Sequence, residues 1–159
     1  FTDFYVENDT DIIQIDFEKE FNLSEKGYDF ALAMNVLEHV FEHKLFLRCV
    51  QKSLRKGGII EGYVPFLHHY HKDPDDYFRY THSALLKLLK GAGFTNIQIT
   101  KIGVGGFTAS AGLISRILKF KALVFFCWTT CLFLDYLLSK VWKTNRDMYC
   151  GLCFTAEKL

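Results

Sequence analysis

Apolar positions along this chain fall into short continuous runs that alternate with helix-spaced stripes. Tyr28 to Met34 opens with one acid, Asp29, and continues as the apolar run Phe30–Met34. A short apolar run bounded by polar residues has the pattern of a strand buried on both faces. The pattern then turns polar at Asn35, Glu38 and His39. In open parallel sheets, ligands sit outside the carboxyl ends of the strands, so these three residues fall where such a sheet does its chemistry.

The same reading extends in both directions. Asp11 to Phe17 reads as a short strand ending in an acid, Asp16, and residues 18–27 as a polar connection. A helix is expected over Glu42–Lys56, with Phe46, Leu47, Val50 and Leu54 on one face and Gly57 as its stop. Ile59 to Pro65 is the next strand, and the proline takes the chain out of the sheet. Thr81 is placed to cap a helix over His82–Lys90 with the stripe Ala84, Leu85, Leu88 and Leu89. Gly91 and Gly93 end it. Thr95–Ile102 alternates as a strand, and Met148–Ala156 reads as a closing strand. Strands alternating with helices imply an α/β fold built from right-handed βαβ units.

One stretch stands outside that alternation. Ala122 to Leu134 is the strongest apolar run, interrupted by Asp135 and flanked by Lys119, Lys121, Lys140 and Lys143. A bilayer crossing needs about 20 apolar residues. Thirteen residues before an acid, with cations at both ends, suit a helix lying on a membrane face or docking on a partner through 119–143. A core helix and a spanning segment are the other readings. Residues 107–143 are therefore expected to form an apolar helical insertion within a single domain, 1–159.

Composition narrows the class. Half of the 159 residues are apolar, 23% are charged and the net charge is +1. That is globular, and it gives no electrostatic case for nucleic acid. Five cysteines, 49, 127, 131, 150 and 153, form no disulfide framework. Reduced thiols without a signal peptide suggest the cytoplasmic side, with the apolar segment allowing membrane association.

The order strand, D-x-x-x-x-x-N-V-L-E-H-V, helix, L-R-K-G-G strand, helix, A-G-F strand resembles the class I S-adenosylmethionine-dependent methyltransferases. Asp29 with Asn35–Val40, Leu54–Gly58 and Ala92–Phe94 carry the likeness. The segment His71–Thr81, HKDPDDYFRYT, resembles a subgroup associated with surface-polysaccharide and other glycan modification. The resemblance implies a Rossmann-like, mostly parallel sheet with an antiparallel last strand, of which this chain holds the third to seventh strands. It also implies S-adenosylmethionine as cofactor and a sugar, glycan or other small-molecule acceptor. The family's glycine-rich first loop and the acid of its second strand have no match and are expected N-terminal to Phe1. On that reading the chain alone is inactive. By analogy Asp16 and Phe17 contact the adenine, and Asn35 and Val36 face the methionine. Gly103–Gly106 follows a strand like a cofactor loop, but no acid follows about 20 residues on, so it reads as a turn.

Methyl transfer from a sulfonium is an in-line displacement in which the protein positions the partners and excludes water. A base is needed only for an acceptor that loses a proton, and His39 and His71 are the candidates. His39 equally suits a structural role at the following helix. Glu38 suits either orienting a partner or favouring the helix N-terminus. Phe66–Tyr80, with three histidines, three aspartates and three tyrosines, reads as an acceptor-binding lid. Arg79 suits clamping an anion, and Tyr77 and Tyr80 suit stacking on a sugar, beside Glu38 and His71. The bland alternative is a rigid loop in which Arg79 pairs with Asp75 or Asp76. His68, His69 and His71 with Asp73 match no closed zinc spacing, so no metal is expected. The rival function is a non-catalytic methyltransferase-like module that binds a membrane or protein partner.

Overall fold

The structure is a computed structural model that describes residues 13–23, 27–72, 74–103, 105–115, 117–141 and 147–159. Its elements in order are β1 (Tyr28–Met34), a one-turn 3-10 helix (Leu37–His39), α1 (His43–Ser53), β2 (Leu54–Pro65), α2 (His82–Gly91), β3 (Phe94–Ile102), α3 (Gly106–Ile114), α4 (Lys121–Val141) and β4 (Gly151–Lys158). The four strands form one sheet in the order β1-β2-β4-β3. β1 and β2 run parallel, while β4 is antiparallel to both of its neighbours. The expected mixed sheet with an antiparallel last strand is present.

The core lies on one face of this sheet. Ala33, Ile60, Val64, Leu152, Phe154 and Ala156 alternate toward Phe46 and Leu47 of α1 and Leu85 and Leu89 of α2. The alternation follows from the period of two along a strand. Thr81 caps α2 as expected, its hydroxyl accepting from the Ala84 amide at 3.3 Å.

Three expectations are corrected. Residues 13–17 are not a strand, and Asp11 and Ile12 lie outside the described residues. Instead, Phe17 and Phe21 pack edgewise and tilted on Phe46 at 4.9 and 6.1 Å, so aromatic burial, not ladder pairing, holds this segment. Second, β1 is covered on one face only. Phe30, Leu32 and Met34 are half exposed or more, and among the described residues the strand pairs only with β2. Third, α1 stops at Ser53, not Lys56. β2 starts immediately, and its register against β1 jumps from Tyr28–Leu54 to Phe30–Ile59. The excess residues bulge from the ladder, and Gly57 takes the left-handed φ of 75° that such a bulge uses.

The apolar run is one helix that continues through Asp135 to Val141. Asp135 is fully buried. Its carboxylate accepts from the Phe107 amide at 3.2 Å, and from the Thr108 amide and hydroxyl at 2.6 Å each. These amides open α3, so the acid from α4 serves as the anion at an N-terminus that follows the glycine turn. Of the glycine stretch, Gly105 and Gly106 lead into a helix end that the chain's own carboxylate occupies, and Val104 lies outside the described residues. The rest of α4 is largely uncovered, with Phe125, Phe126 and Phe133 each more than half exposed.

Candidate active site

The site is built where β1 ends. Asn35 adopts a left-handed φ of 54°, a conformation that asparagine tolerates better than most residues. Its amide donates to the Tyr63 carbonyl of β2 at 3.0 Å, and its side chain donates to Glu38 Oε1 at 3.0 Å. The turn throws the chain out of the sheet and folds Glu38 inward, where it is completely buried. Its second oxygen, Oε2, has no partner among the described residues.

The segment between β2 and α2 closes over this turn. The Glu38 carbonyl accepts the amides of Tyr77 at 2.8 Å and Phe78 at 3.3 Å. The Tyr80 hydroxyl, buried, donates to the Leu37 carbonyl at 2.9 Å. His39 Nδ1 lies 2.5 Å from the Asp75 carbonyl. A carbonyl only accepts, so Nδ1 carries a proton, and Nε2 is the ring nitrogen left free of the loop. That Nε2 faces Glu38 Oε1 at 3.8 Å.

His71 is oriented in the same way. Its Nδ1 sits 3.4 Å from both Asp76 Oδ2 and the His69 carbonyl, two acceptors. Its amide donates to Asp76 Oδ2 at 2.9 Å. The rings of His39 and His71 meet edge to face, 4.9 Å between centroids, and His68 lies 4.8 Å beyond His71. Two imidazoles with their Nδ1 atoms turned to acceptors thus meet edge to face beside a buried carboxylate.

Asp76 and Arg79 staple the segment. The guanidinium bonds both oxygens of Asp76, with Nη2 to Oδ2 at 2.6 Å, and also donates to the carbonyls of Phe78 at 2.8 Å and His69 at 3.1 Å. The Arg79 charge, with the His71 amide, holds the Asp76 carboxyl well below the usual carboxylate range. Burial pushes the Tyr80 phenol far up, and the Glu38 carboxylate adds to it.

The predicted site residues therefore separate. Glu38, His39 and His71 come together. The terminal nitrogens of Arg79 and the Tyr80 hydroxyl bond within the protein and shape the loop. Tyr77 is exposed, its hydroxyl donating to Asp75 Oδ2 at 3.2 Å. Asp16 is exposed and pairs with Lys19 at 2.8 Å, which holds its carboxyl low. Phe17 is half buried in the aromatic cluster, Asn35 is exposed and Val36 is half buried. Glu18 was missed by sequence reading: its carboxylate accepts the amides of Phe41 at 2.8 Å and Glu42 at 3.0 Å before α1. A contact over more than 20 residues leaves no local sequence signal.

Residues 3–61 match a family model described as a methyltransferase domain. No curated protein matches the chain. Among solved structures, the cyclase SpnF is 16% identical with a TM-score of 0.56, covering 93% of this chain and 55% of that one. The chain has a methyltransferase fold. A possible histamine N-methyltransferase of Thermotoga maritima shares it, at 12% identity and TM-score 0.56, over 93% of this chain and 64% of that one. So does phosphoethanolamine N-methyltransferase 2 of Haemonchus contortus, solved with phosphomonomethylethanolamine and S-adenosylhomocysteine. It is 14% identical with a TM-score of 0.53, over 92% of this chain and 37% of that one. The chain thus spans about a third to two thirds of the length of these proteins. That a cyclase shares the methyltransferase fold shows that fold alone does not fix the reaction.

The staple makes a pH-dependent prediction. A depressed carboxyl contributes stability that is present above its unfolded pKa of about 4 and lost as pH falls through its folded value. Asp76→Asn is expected to cost about 2 kcal/mol at pH 7, less than for a fully buried pair because Arg79 is partly exposed. In urea denaturation the gap between parent and variant should narrow below about pH 4. An equal gap at pH 7 and pH 3 would remove the ion pair from the account.

Proposed function

We propose that this protein transfers a methyl group from S-adenosylmethionine to an oxygen of a sugar, glycan or similar small acceptor. The observation that carries the reading is the pair of imidazoles, His39 and His71, each with Nδ1 turned to an acceptor and Nε2 free of the loop, at the carboxyl end of β1. The methyltransferase-domain match and the fold support the same reading. Bound S-adenosylmethionine supplies an activated methyl group on a sulfonium. Asn35 at the end of β1 and Asp16 beside Phe17 are exposed polar side chains that would hold it. In the transfer, the acceptor oxygen forms a bond to the methyl carbon as the sulfur–carbon bond breaks. The acceptor proton passes to an imidazole Nε2. Asp76 holds His71 in the tautomer that accepts it, and the buried Glu38 carboxylate stabilises the His39 imidazolium that would form.

A methyl-transfer screen with labelled S-adenosylmethionine against nucleotide sugars and lipid-linked glycans tests this directly. Label should appear in an acceptor oxygen ether. His39→Gln and His71→Gln should each lower kcat by roughly 100-fold or more with little change in cofactor affinity. In protein that binds the cofactor, absence of labelled product with every acceptor would favour the non-catalytic module, and kcat unaffected by both substitutions would remove the imidazoles from the mechanism.

The acceptor side points to an amphiphile at a membrane surface. A cavity of about 320 Å³ has His68 and His69 on one wall and Ala109, Leu113 and Trp128 of the α3–α4 pair on another. It joins the histidine row to the helix whose aromatic side chains are uncovered. Lys119 and Lys121 stand at one end of that helix and Lys140 at the other, suited to anionic headgroups. We place the protein on the cytoplasmic side of the bilayer, with α4 in the interface. Sedimentation with vesicles containing anionic lipid should bring the protein down, and Phe125→Ser with Phe133→Ser should return it to the supernatant. A parent protein that stays in the supernatant would count against membrane contact and leave the α4 surface to a second copy of the chain.

A further inference from the structure

We infer that Glu38, His39 and His71 form a binding site for a divalent first-row transition metal ion, with positions left open for the acceptor. One ligand atom from each residue lies within 4.8 Å of the others. Ligand atoms held at about 2.1 Å from one ion stand no more than about 4.2 Å apart, so small side-chain rotations close the set. Two imidazoles and one carboxylate are a donor set for such ions, and three protein ligands leave coordination positions free.

Three independent features of the site point the same way. Glu38 is 0% exposed and its Oε2 has no partner among the described residues. A buried carboxylate oxygen without a hydrogen bond is costly unless a cation satisfies it. His39 donates its Nδ1 proton to the Asp75 carbonyl at 2.5 Å, which turns Nε2 toward Glu38 Oε1 at 3.8 Å. That gap is too long for a direct hydrogen bond, and a cation held between the two atoms would bridge it. His71 is held through Nδ1 by the Asp76 carboxylate, itself fixed by Arg79. Metal-binding histidines carry this outer arrangement, the second ring nitrogen donating to a carbonyl or carboxylate, because it sets the tautomer and the ring direction.

A neighbouring set competes with this one. His68, His69 and His71 also approach one another. That cluster is more exposed and contains no carboxylate, and the His68 and His69 rings lie tilted at 4.1 Å with Nδ1 of His68 turned to the His69 carbonyl. Sequence spacing matched no closed zinc pattern for His68, His69 and His71 with Asp73, and Asp73 lies outside the described residues. The site inferred here draws its ligands instead from two segments brought together only by folding.

This inference rests on the methyl-transfer reading only for its use: with the ion bound the imidazoles would be ligands in place of bases, a metal-held acceptor hydroxyl would give its proton to water, and two oxygens of a diol could occupy the open positions. Whether the ion binds does not depend on that reading. The test therefore uses Co2+ alone with the untagged full chain and no cofactor. One equivalent should produce the visible d–d absorption of a nitrogen- and oxygen-ligated ion, displaced by Zn2+. Glu38→Gln, which retains an oxygen for Asn35, and His71→Ala should each weaken binding at least tenfold, with unchanged circular dichroism. His68→Ala with His69→Ala should leave binding intact. Absence of a one-equivalent site overturns the inference. So does binding that survives both Glu38→Gln and His71→Ala, or that is abolished by the His68 and His69 substitutions.

Discussion

The backbone carbonyl of Glu38 is the hinge of this structure. It belongs to a one-turn helix that has few internal partners, and it accepts two amides from a loop almost 40 residues away. With the Tyr80 hydroxyl on Leu37 and His39 on Asp75, these bonds fasten two irregular segments to each other. Irregular backbone near the core must find partners for its polar groups. Here each segment supplies the partners of the other, and the histidines are placed as a by-product of that exchange. The Asn35 left-handed turn is the precondition, since it directs the chain away from β1 and sends Glu38 beneath the loop.

Much of the scaffold was legible because its signals are local. The apolar run of β1, the Thr81 cap and the Leu85–Leu89 stripe each depend on residues within one element, and each element formed where its pattern lay. The failures have a common physical source. Ile13–Phe17 carries a strand-like pattern, yet it packs by aromatic contact on Phe46, a choice made by a helix 30 residues on. The end of α1 was set not by Gly57 but by β1, which captures the chain from Leu54. Asp135 read as a polar interruption of an apolar run. In the structure it satisfies the N-terminus of another helix, so the charge that argued against a bilayer crossing ties α4 to α3.

At the site, residue types were legible and their roles were not. The motif and the histidine-rich segment were each visible, but nothing in either says that Arg79 and Tyr80 turn inward while His39 and His71 turn toward each other. That division depends on Asp76, whose position between Arg79 and His71 makes it the partner of both. A bidentate arginine–carboxylate pair that also meets two carbonyls engages both terminal nitrogens of the guanidinium. Its contribution is to fix where His71 points, and thereby the chemistry available beside the buried Glu38 carboxylate.

The claim on which this account rests is that the loop is docked on the Asn35–His39 turn through the Glu38 carbonyl. Residue-resolved amide hydrogen exchange measures this directly. The account predicts that the Tyr77 and Phe78 amides exchange slowly and as a pair, at a rate set by a shared opening of the loop. Exchange of both amides at the rate of an unprotected surface segment would contradict it, and with it the placement of His39 and His71.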